Sequence, residues 1–427
     1  MNRILAGLVT CVAVLLAGAC GSGSFSLGSS APPPSDMQVV AGDTSATVTW
    51  TMAPGVDYWI MLAPTASITS SNWSSFLGAR SVIRAVSPQL VTGLLNGTTY
   101  AFTINGRQGN GAGGQGAASQ AIVPRLAGGS WLAGSALGSG DLAGATYGSV
   151  GTAGTASAVS SFVAVGAGGK IYSSNDAKTW TAQNSSVSAD LKCAVFGGAY
   201  LAAGAAGSIV TSADAITWAA VNSGTSSTLN GLATNNAGTY IAVGAGGSIS
   251  TSSDSGSTWK AVSSGTTRDL YAIAYGSNGS SNVFIAVGAQ GTVLSSADGL
   301  TWTSVAAPTT ADLKGVSYAA VPTTVAGVVT SSTVTWVAVG NGGSVISSND
   351  SASWALRSSG SSKDLSAVTF NTRFVALGDA GTLLTSDDGG LSWQAQLSPS
   401  SAKLSAITHS LYGYLAVGAA GTNLTAF

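Results

Sequence analysis

Ser252-Ser253-Asp254-Ser255-Gly256-Ser257-Thr258-Trp259 is a tight turn closed by a tryptophan, and the chain writes it again as Ser386-Asp387-Asp388-Gly389-Gly390-Leu391-Ser392-Trp393. Asp176, Asp214, Asp298 and Asp350 stand in versions one residue shorter. In such a turn a carboxylate can accept backbone N–H groups, glycine can take the positive-φ position, and the indole can pack between sheets. A turn clamp repeated six times cannot be six active sites. The six aspartates, Asp254 and Asp388 included, therefore read as structural.

Working outward from these turns, Trp131, Trp180, Trp218, Trp259, Trp302, Trp354 and Trp393 are spaced 38 to 52 residues apart, the length of one propeller blade. Between them recurs Val-Gly-x-x-Gly or a near variant, at Gly166, Gly204, Gly244, Gly288, Gly340, Gly378 and Gly418. Seven of each predict a seven-bladed β-propeller of four strands per blade over residues 128–427. Inner strands are expected to begin at Leu142, Leu191, Leu229, Leu270, Leu313, Leu365 and Leu404. Two residues on is always something small, and five on an aromatic in most blades. Cys193 fills the small slot and His409 the aromatic one, so both read as packing residues.

The final motif, Gly418 to Phe427, ends without a turn box or a tryptophan, whereas Trp131 precedes the first complete set of strands. The stretch Gly129 to Ser135 is therefore expected to supply the outer strand of blade seven and close the ring.

The repeated box resembles the Asp-box, or BNR, propellers: sialidases, xyloglucanases and photosystem II assembly-factor-like proteins. Sialidases use an arginine cluster with a Tyr and a Glu, but all 16 acidic residues here are aspartates. The propeller holds only Arg268, Arg357 and Arg373, none in the family's N-terminal arginine motif. Xyloglucanases use paired aspartates, which leaves a glycoside hydrolase open as the lesser reading. With one histidine, no Ser/His/Asp set can be assembled, and clusters of His and Cys that could ligate a metal are absent. The chain is expected not to be an enzyme, and neither a cofactor nor a metal is expected.

The N-terminus reads as an address. Met1-Asn2-Arg3 is followed by an apolar run, Ile4 to Leu16, of signal-peptide length, ending in Leu16-Ala17-Gly18-Ala19-Cys20. This resembles the bacterial lipobox, and it implies removal of residues 1–19 and lipid attachment at Cys20. Residues 20–35 read as a tether ending in the stiff Ala31-Pro32-Pro33-Pro34. Cys193 would then be the one unmodified thiol, so no internal disulfide is expected. Gly21 is not the aspartate that marks inner-membrane retention, so the outer membrane is favoured, with the chain facing the periplasm or the cell surface.

Residues 36–125 alternate in short strands, with Val48 and Trp50, Tyr58, Ile60 and Leu62, and Tyr100, Phe102 and Ile104 as face-sharing sets. The pattern predicts a β-sandwich. Leu94-Leu95-Asn96-Gly97-Thr98-Thr99-Tyr100-Ala101-Phe102 resembles the E–F corner of fibronectin type III domains, where a leucine and a tyrosine pin the turn.

Fifteen basic residues against 16 acidic ones, in a chain only 7% charged, leave no basic stripe for nucleic acid. The densest charge outside the boxes is Asp141, Asp190, Asp269, Asp312 and Asp364, each just before an inner-strand leucine, with Arg268, Lys192, Lys314 and Lys363 beside them. Five aspartates are thus expected around one mouth of the axial channel. They either cap their own loops or bind a cation, a basic partner or a sugar. The function expected is a monomeric, membrane-anchored binding or assembly scaffold whose partner is an unknown envelope protein or glycan. A polysaccharide-binding adhesin using Trp59 and Trp73 is the alternative.

Overall fold

Every one of the seven aligned leucines opens a strand. In the computed structural model, which describes residues 28–109, 111–151, 159–325, 328–410 and 413–426, the inner strands are Leu142–Val150, Leu191–Phe196, Leu229–Thr234, Leu270–Ser277, Leu313–Val325, Leu365–Phe370 and Leu404–His409. Each begins a four-stranded antiparallel sheet whose strands pair in chain order. Successive inner strands pack side by side, and the last packs against the first, so the seven sheets form a closed ring. Cys20 and the signal segment lie outside the described residues.

The seventh sheet closes as the sequence predicts. Its order runs from Leu404–His409 through Tyr414–Gly418 and Asn423–Ala426 to Leu132–Ala133, which comes from the other end of the propeller segment. Leu424 pairs with Ala133 and Thr425 with Leu132, and Leu137 N–H donates to Gly421 O at 2.8 Å. The seam thus ties chain segments nearly 300 residues apart.

The glycine signature follows from close approach. A Cβ on Gly204 would lie 1.9 Å from Asp190 O, and one on Gly207, at φ +68°, would lie 1.9 Å from Thr225 O. The first glycine lets the second strand pass the entry of the inner strand. The second lets the following turn seat the chain that leaves the blade. Only a residue without Cβ fits either place.

Second strands are buried on both faces because each lies between neighbouring blades, so they read as unbroken apolar runs such as Tyr200–Gly204. Four carry an aromatic that reaches the preceding blade, at the first residue in three of them and within Val328–Gly340 in the fourth. Tyr200 Oη donates to Gly148 O at 2.8 Å, Tyr240 Oη to Gly197 O at 2.7 Å, Trp336 Nε1 to Ser277 O at 2.9 Å, and Tyr414 Oη to Arg373 O at 2.8 Å.

By contact the chain divides into two units. One comprises residues up to Gln38 with Thr49–Pro88 and Ala101–Gln120, and the other comprises Val39–Val48, Gln89–Tyr100 and Ala121–Phe427. The segment 36–125 thus contributes to both. Together with Ser29–Ala31, which was expected to be tether and instead pairs with Tyr100–Gln108, it forms a five-stranded sheet with Asp57–Ala63, Arg80–Ala85 and Gln120–Ile122, and a three-stranded sheet of Gln38–Gly42, Ser45–Thr49 and Gln89–Thr92.

The expected alternation along the five-stranded sheet is replaced by burial of both faces in Tyr100–Gly106. Loop residues cover the second face: Thr103 Oγ1 donates to Ala117 O at 2.7 Å, and Ile68 packs with Met61, Ala63 and Ala101. In the stretch Leu94–Phe102, Leu94 is buried and Leu95 N–H donates to Tyr100 Oη at 3.3 Å.

Candidate functional site

The turn boxes are clamps. In the short form Asp298 Oδ1 accepts N–H from Leu300 and Thr301, each at 2.8 Å. In the long form Asp254 accepts Thr258 Oγ1–H at 2.6 Å and Thr258 N–H at 2.9 Å. Asp176, Asp214, Asp350 and Asp388 repeat the pattern. The donors stabilise the charged form. The Thr258 hydroxyl holds Asp254 down to about 2, and the backbone N–H groups of Thr301 and Ser353 do the same for Asp298 and Asp350.

Five of the six indoles seal their turn by donating from Nε1 to the carbonyl three residues back, as Trp218 does to Ala215 O. Trp131 does the same to Gly128 O at 2.9 Å, so blade seven keeps the seal without the aspartate.

The five aspartates before the inner strands do not cap their own loops. Each reaches back to the preceding blade and accepts the N–H of the middle residue in the turn joining that blade's second and third strands. Asp190 takes Gly168 N–H at 2.9 Å, Asp269 takes Gly246 at 2.8 Å, and Asp312 takes Gln290 at 3.0 Å. Asp364 takes Gly342 at 2.7 Å, and Asp141 takes Ala420 at 2.9 Å across the ring seam. Every one of these donors sits in the left-handed region, at φ between 51° and 66°. The aspartate's main-chain carbonyl meanwhile accepts the first N–H of its own blade's turn, as Asp190 O does from Ala205 at 2.8 Å. One residue thus holds two blades.

The other two junctions differ. At blade seven the slot holds Lys403, and the carboxylate has moved to the preceding turn, where Asp379 pairs with Lys403 Nζ at 3.0 Å. At blade three the slot holds Thr228, and among the described hydrogen bonds none links its side chain to the turn Ala205–Gly207. The sequence reading missed the Lys403–Asp379 pair, although Lys403 stands directly before the aligned Leu404.

Of the remaining charged candidates, Lys192 pairs with Asp190 at 3.3 Å and Lys314 with Asp312 at 3.1 Å. The Lys314 ammonium also lies 3.4 Å from the centre of the Tyr271 ring. Backbone N–H of Gly168 followed by Lys192 lowers the Asp190 carboxyl below its usual range, and Gln290 N–H does so first for Asp312. Arg268 and Lys363 are exposed.

A bulge after the first residue of all seven inner strands interrupts the ladder around the second residue. In blades five, six and seven those second residues, Lys314, Ser366 and Ser405, line one cleft of about 440 Å³ with Asn341, Asp364 and Lys403. Of the expected charged candidates the structure brings Lys314 and Asp364 together there.

Cys193 and His409 pack as the alignment predicts. Burial pushes the Cys193 thiol up to about 12 and lowers the His409 imidazole. Trp59 lies beneath the Arg107 guanidinium, 3.5 Å from its ring centre, and Trp73 packs against the Met61 cluster. Among the described residues, no group of three or more His, Cys or Asp side chains could hold a metal.

No family model matches the chain, and no curated protein matches it by sequence. Solved structures do match by fold. A structure described as YCF48 bound to D1 peptide superposes with a TM-score of 0.54 at 16% identity, covering 69% of this chain and 94% of the other. YCF48 from Cyanidioschyzon merolae superposes with a TM-score of 0.50 at 17% identity, covering 69% of this chain and 98% of its own. At this identity the likeness shows the fold, a β-propeller of repeated four-stranded sheets.

Proposed function

We propose that this chain is a non-enzymatic binding and assembly scaffold of the bacterial envelope. Lipid on Cys20 anchors it, with the outer membrane favoured, and a fibronectin type III-like module over residues 36–125 acts as spacer. The propeller is the platform, and it holds a segment of a protein partner at the cleft formed by blades five to seven. The observation that carries this reading is where the charge goes.

The aspartates at the inner-strand entries are engaged in joining blades, so they do not form a free acidic ring for a cation or a basic ligand. What the cleft still offers is the ammonium N–H groups that Lys314 and Lys403 have beyond their pairing with Asp312 and Asp379, and hydroxyls on Ser366 and Ser405. Such donors suit backbone carbonyls and carboxylates of an extended peptide. YCF48 bound to D1 peptide adds the precedent of a peptide on this fold.

The test is a pull-down from intact membranes, read by mass spectrometry. The wild-type chain should fractionate with membranes and retain a protein partner, and Lys314→Gln with Lys403→Gln should lose that partner while still fractionating with membranes. Cys20→Ser should release the chain or leave its signal uncleaved. Unchanged partner recovery by the double variant would remove the cleft from the account. A processed Cys20→Ser chain that still fractionates with membranes would remove the anchor.

A further inference from the structure

The tether enters the five-stranded sheet at one defined end. Ser29 pairs with Gln108 and Ala31 with Gly106, so the chain arrives where Tyr100–Gln108 finishes. Gly28, just before the pairing, packs on glycines. A Cβ on Gly111 would lie 2.3 Å from Gly28 C, and one on Gly109 would lie 3.5 Å from Gly28 Cα. A side chain at Gly111 would push the tether off the sheet, so its point of departure is held as far as Gly28.

From Cys20 to Gly28 is a step of eight residues, which can span at most about 29 Å. A lipid on Cys20 therefore keeps this end of the sheet within about 29 Å of the bilayer surface.

The loops at this end are apolar at their tips. Met52, Ala53, Pro54 and Gly55 are exposed, Met52 at 42%. With Val56 and Asp57 they share one depression of about 590 Å³ with Gly109, the residue that touches Gly28. Val86, 60% exposed, stands at the same end, because Ala85 before it pairs with Tyr58 at the start of Asp57–Ala63. No charged residue occurs between Asp43 and Asp57 or between Arg84 and Arg107. The nearest carboxylates are engaged. Asp36 accepts Thr51 N–H at 3.0 Å and Thr51 Oγ1–H at 2.5 Å, and Asp57 pairs with Arg84 at 3.8 Å. Tips without acidic residues can settle among the headgroups of an anionic leaflet without charge repulsion. Tethering makes that contact intramolecular, so a small apolar area suffices.

We propose that this end of the sheet is a foot that rests on the phospholipid surface, with Met52 and Val86 at the boundary of headgroups and acyl chains. The inference rests on the reading of Cys20 as the lipid site and adds a second membrane contact beside the lipid.

Fluorescence quenching by lipid tests it on the full lipidated chain. Burial pushes the Cys193 thiol up to about 12, so a cysteine added at the surface takes a thiol-reactive fluorophore in preference to it. One label goes on Ala53→Cys. The other goes on Leu77→Cys, 96% exposed in the loop that follows Asp57–Ala63, and so about 20 Å along the strand at the other end of the sheet. In vesicles of phosphatidylethanolamine and phosphatidylglycerol carrying a nitroxide near the headgroup, the label at position 53 should be quenched at least about fivefold more than the label at 77. Met52→Asp with Val86→Asp should bring the two within about twofold, while the chain still floats with the vesicles. Equal quenching of the two labels on a floating chain would overturn the foot and leave the anchor standing. A contrast that survives the two aspartates would overturn it as well. A chain that does not float would overturn the anchor, and the foot with it.

Discussion

Trp131→Ala should lower the stability of the propeller by about 3–5 kcal/mol. The indole is buried in a cluster with Val375, Leu377, Leu404, Tyr414, Leu424 and Ala426. Its removal leaves a cavity at the one place where the ring is closed by noncovalent pairing between chain ends. Just two residue pairs join Asn423–Ala426 to Leu132–Ala133. The indole seals the turn that presents Leu132, through Gly128 O, and packs against Tyr414 at 6.3 Å between ring centres. Chemical denaturation checks this. A loss below about 1 kcal/mol would mean that the seam does not depend on the indole.

Gly204→Ala should cost about 3 kcal/mol or more, whereas Gly246→Ala should cost about 1 kcal/mol or less. The two substitutions are alike on paper and differ in what the new methyl meets. At Gly204 it would lie 1.9 Å from Asp190 O and 2.7 Å from Leu191 Cα, both backbone atoms that can move only by displacing the inner strand. Gly246, at φ +63°, has nothing within 4 Å of the new Cβ, and the equivalent places in other blades already hold Ala206, Ala380, Ala420 and Gln290. Positive φ is thus an affordable strain here, and collision with a carbonyl is not. Equal losses from the two variants would contradict this reading of the signature.

Much of the architecture was legible because the packing problem repeats. A tryptophan under each turn, a glycine at each strand crossing and a small residue in each inner strand recur at blade spacing, so strand starts and the seam could be read before any coordinates. The direction of Asp190 and its four equivalents could not. Sequence adjacency favours the residue's own loop, but that loop is already bonded to the main-chain carbonyl of the same aspartate. The side chain is left to meet the neighbouring blade, a relation that local sequence does not encode.

The reading of the cleft followed from the same gap. Counted as free charges, five aspartates suggested a mouth for cations. With each carboxylate bonded to a preceding turn, the donors left in the cleft of blades five to seven are serine hydroxyls and the spare N–H groups of Lys314 and Lys403, themselves paired with Asp312 and Asp379. The pair of Lys403 and Asp379 escaped notice because it exchanges the two charges between slots, and an alignment that looks for aspartate passes over it. The 52 residues between Trp302 and Trp354 fall within the range of one blade, and the longer inner hairpin they contain, from Leu313–Val325 to Val328–Gly340, was not foreseen.

Amide hydrogen exchange at two alanines tests most directly the claim that aspartates lock one blade to the next at five of the seven junctions. Ala206 and Ala420 occupy the same place in identical turns, Gly204-Ala205-Ala206-Gly207 and Gly418-Ala419-Ala420-Gly421, at φ 53° and 51°. Ala420 N–H donates to Asp141 Oδ1 across the seam, whereas Ala206 faces the junction that has Thr228 in place of an aspartate. The account predicts that Ala420 exchanges about tenfold more slowly than Ala206, and that Asp141→Ala abolishes the difference. Equal exchange in the wild type, or protection of Ala420 that survives Asp141→Ala, would contradict it.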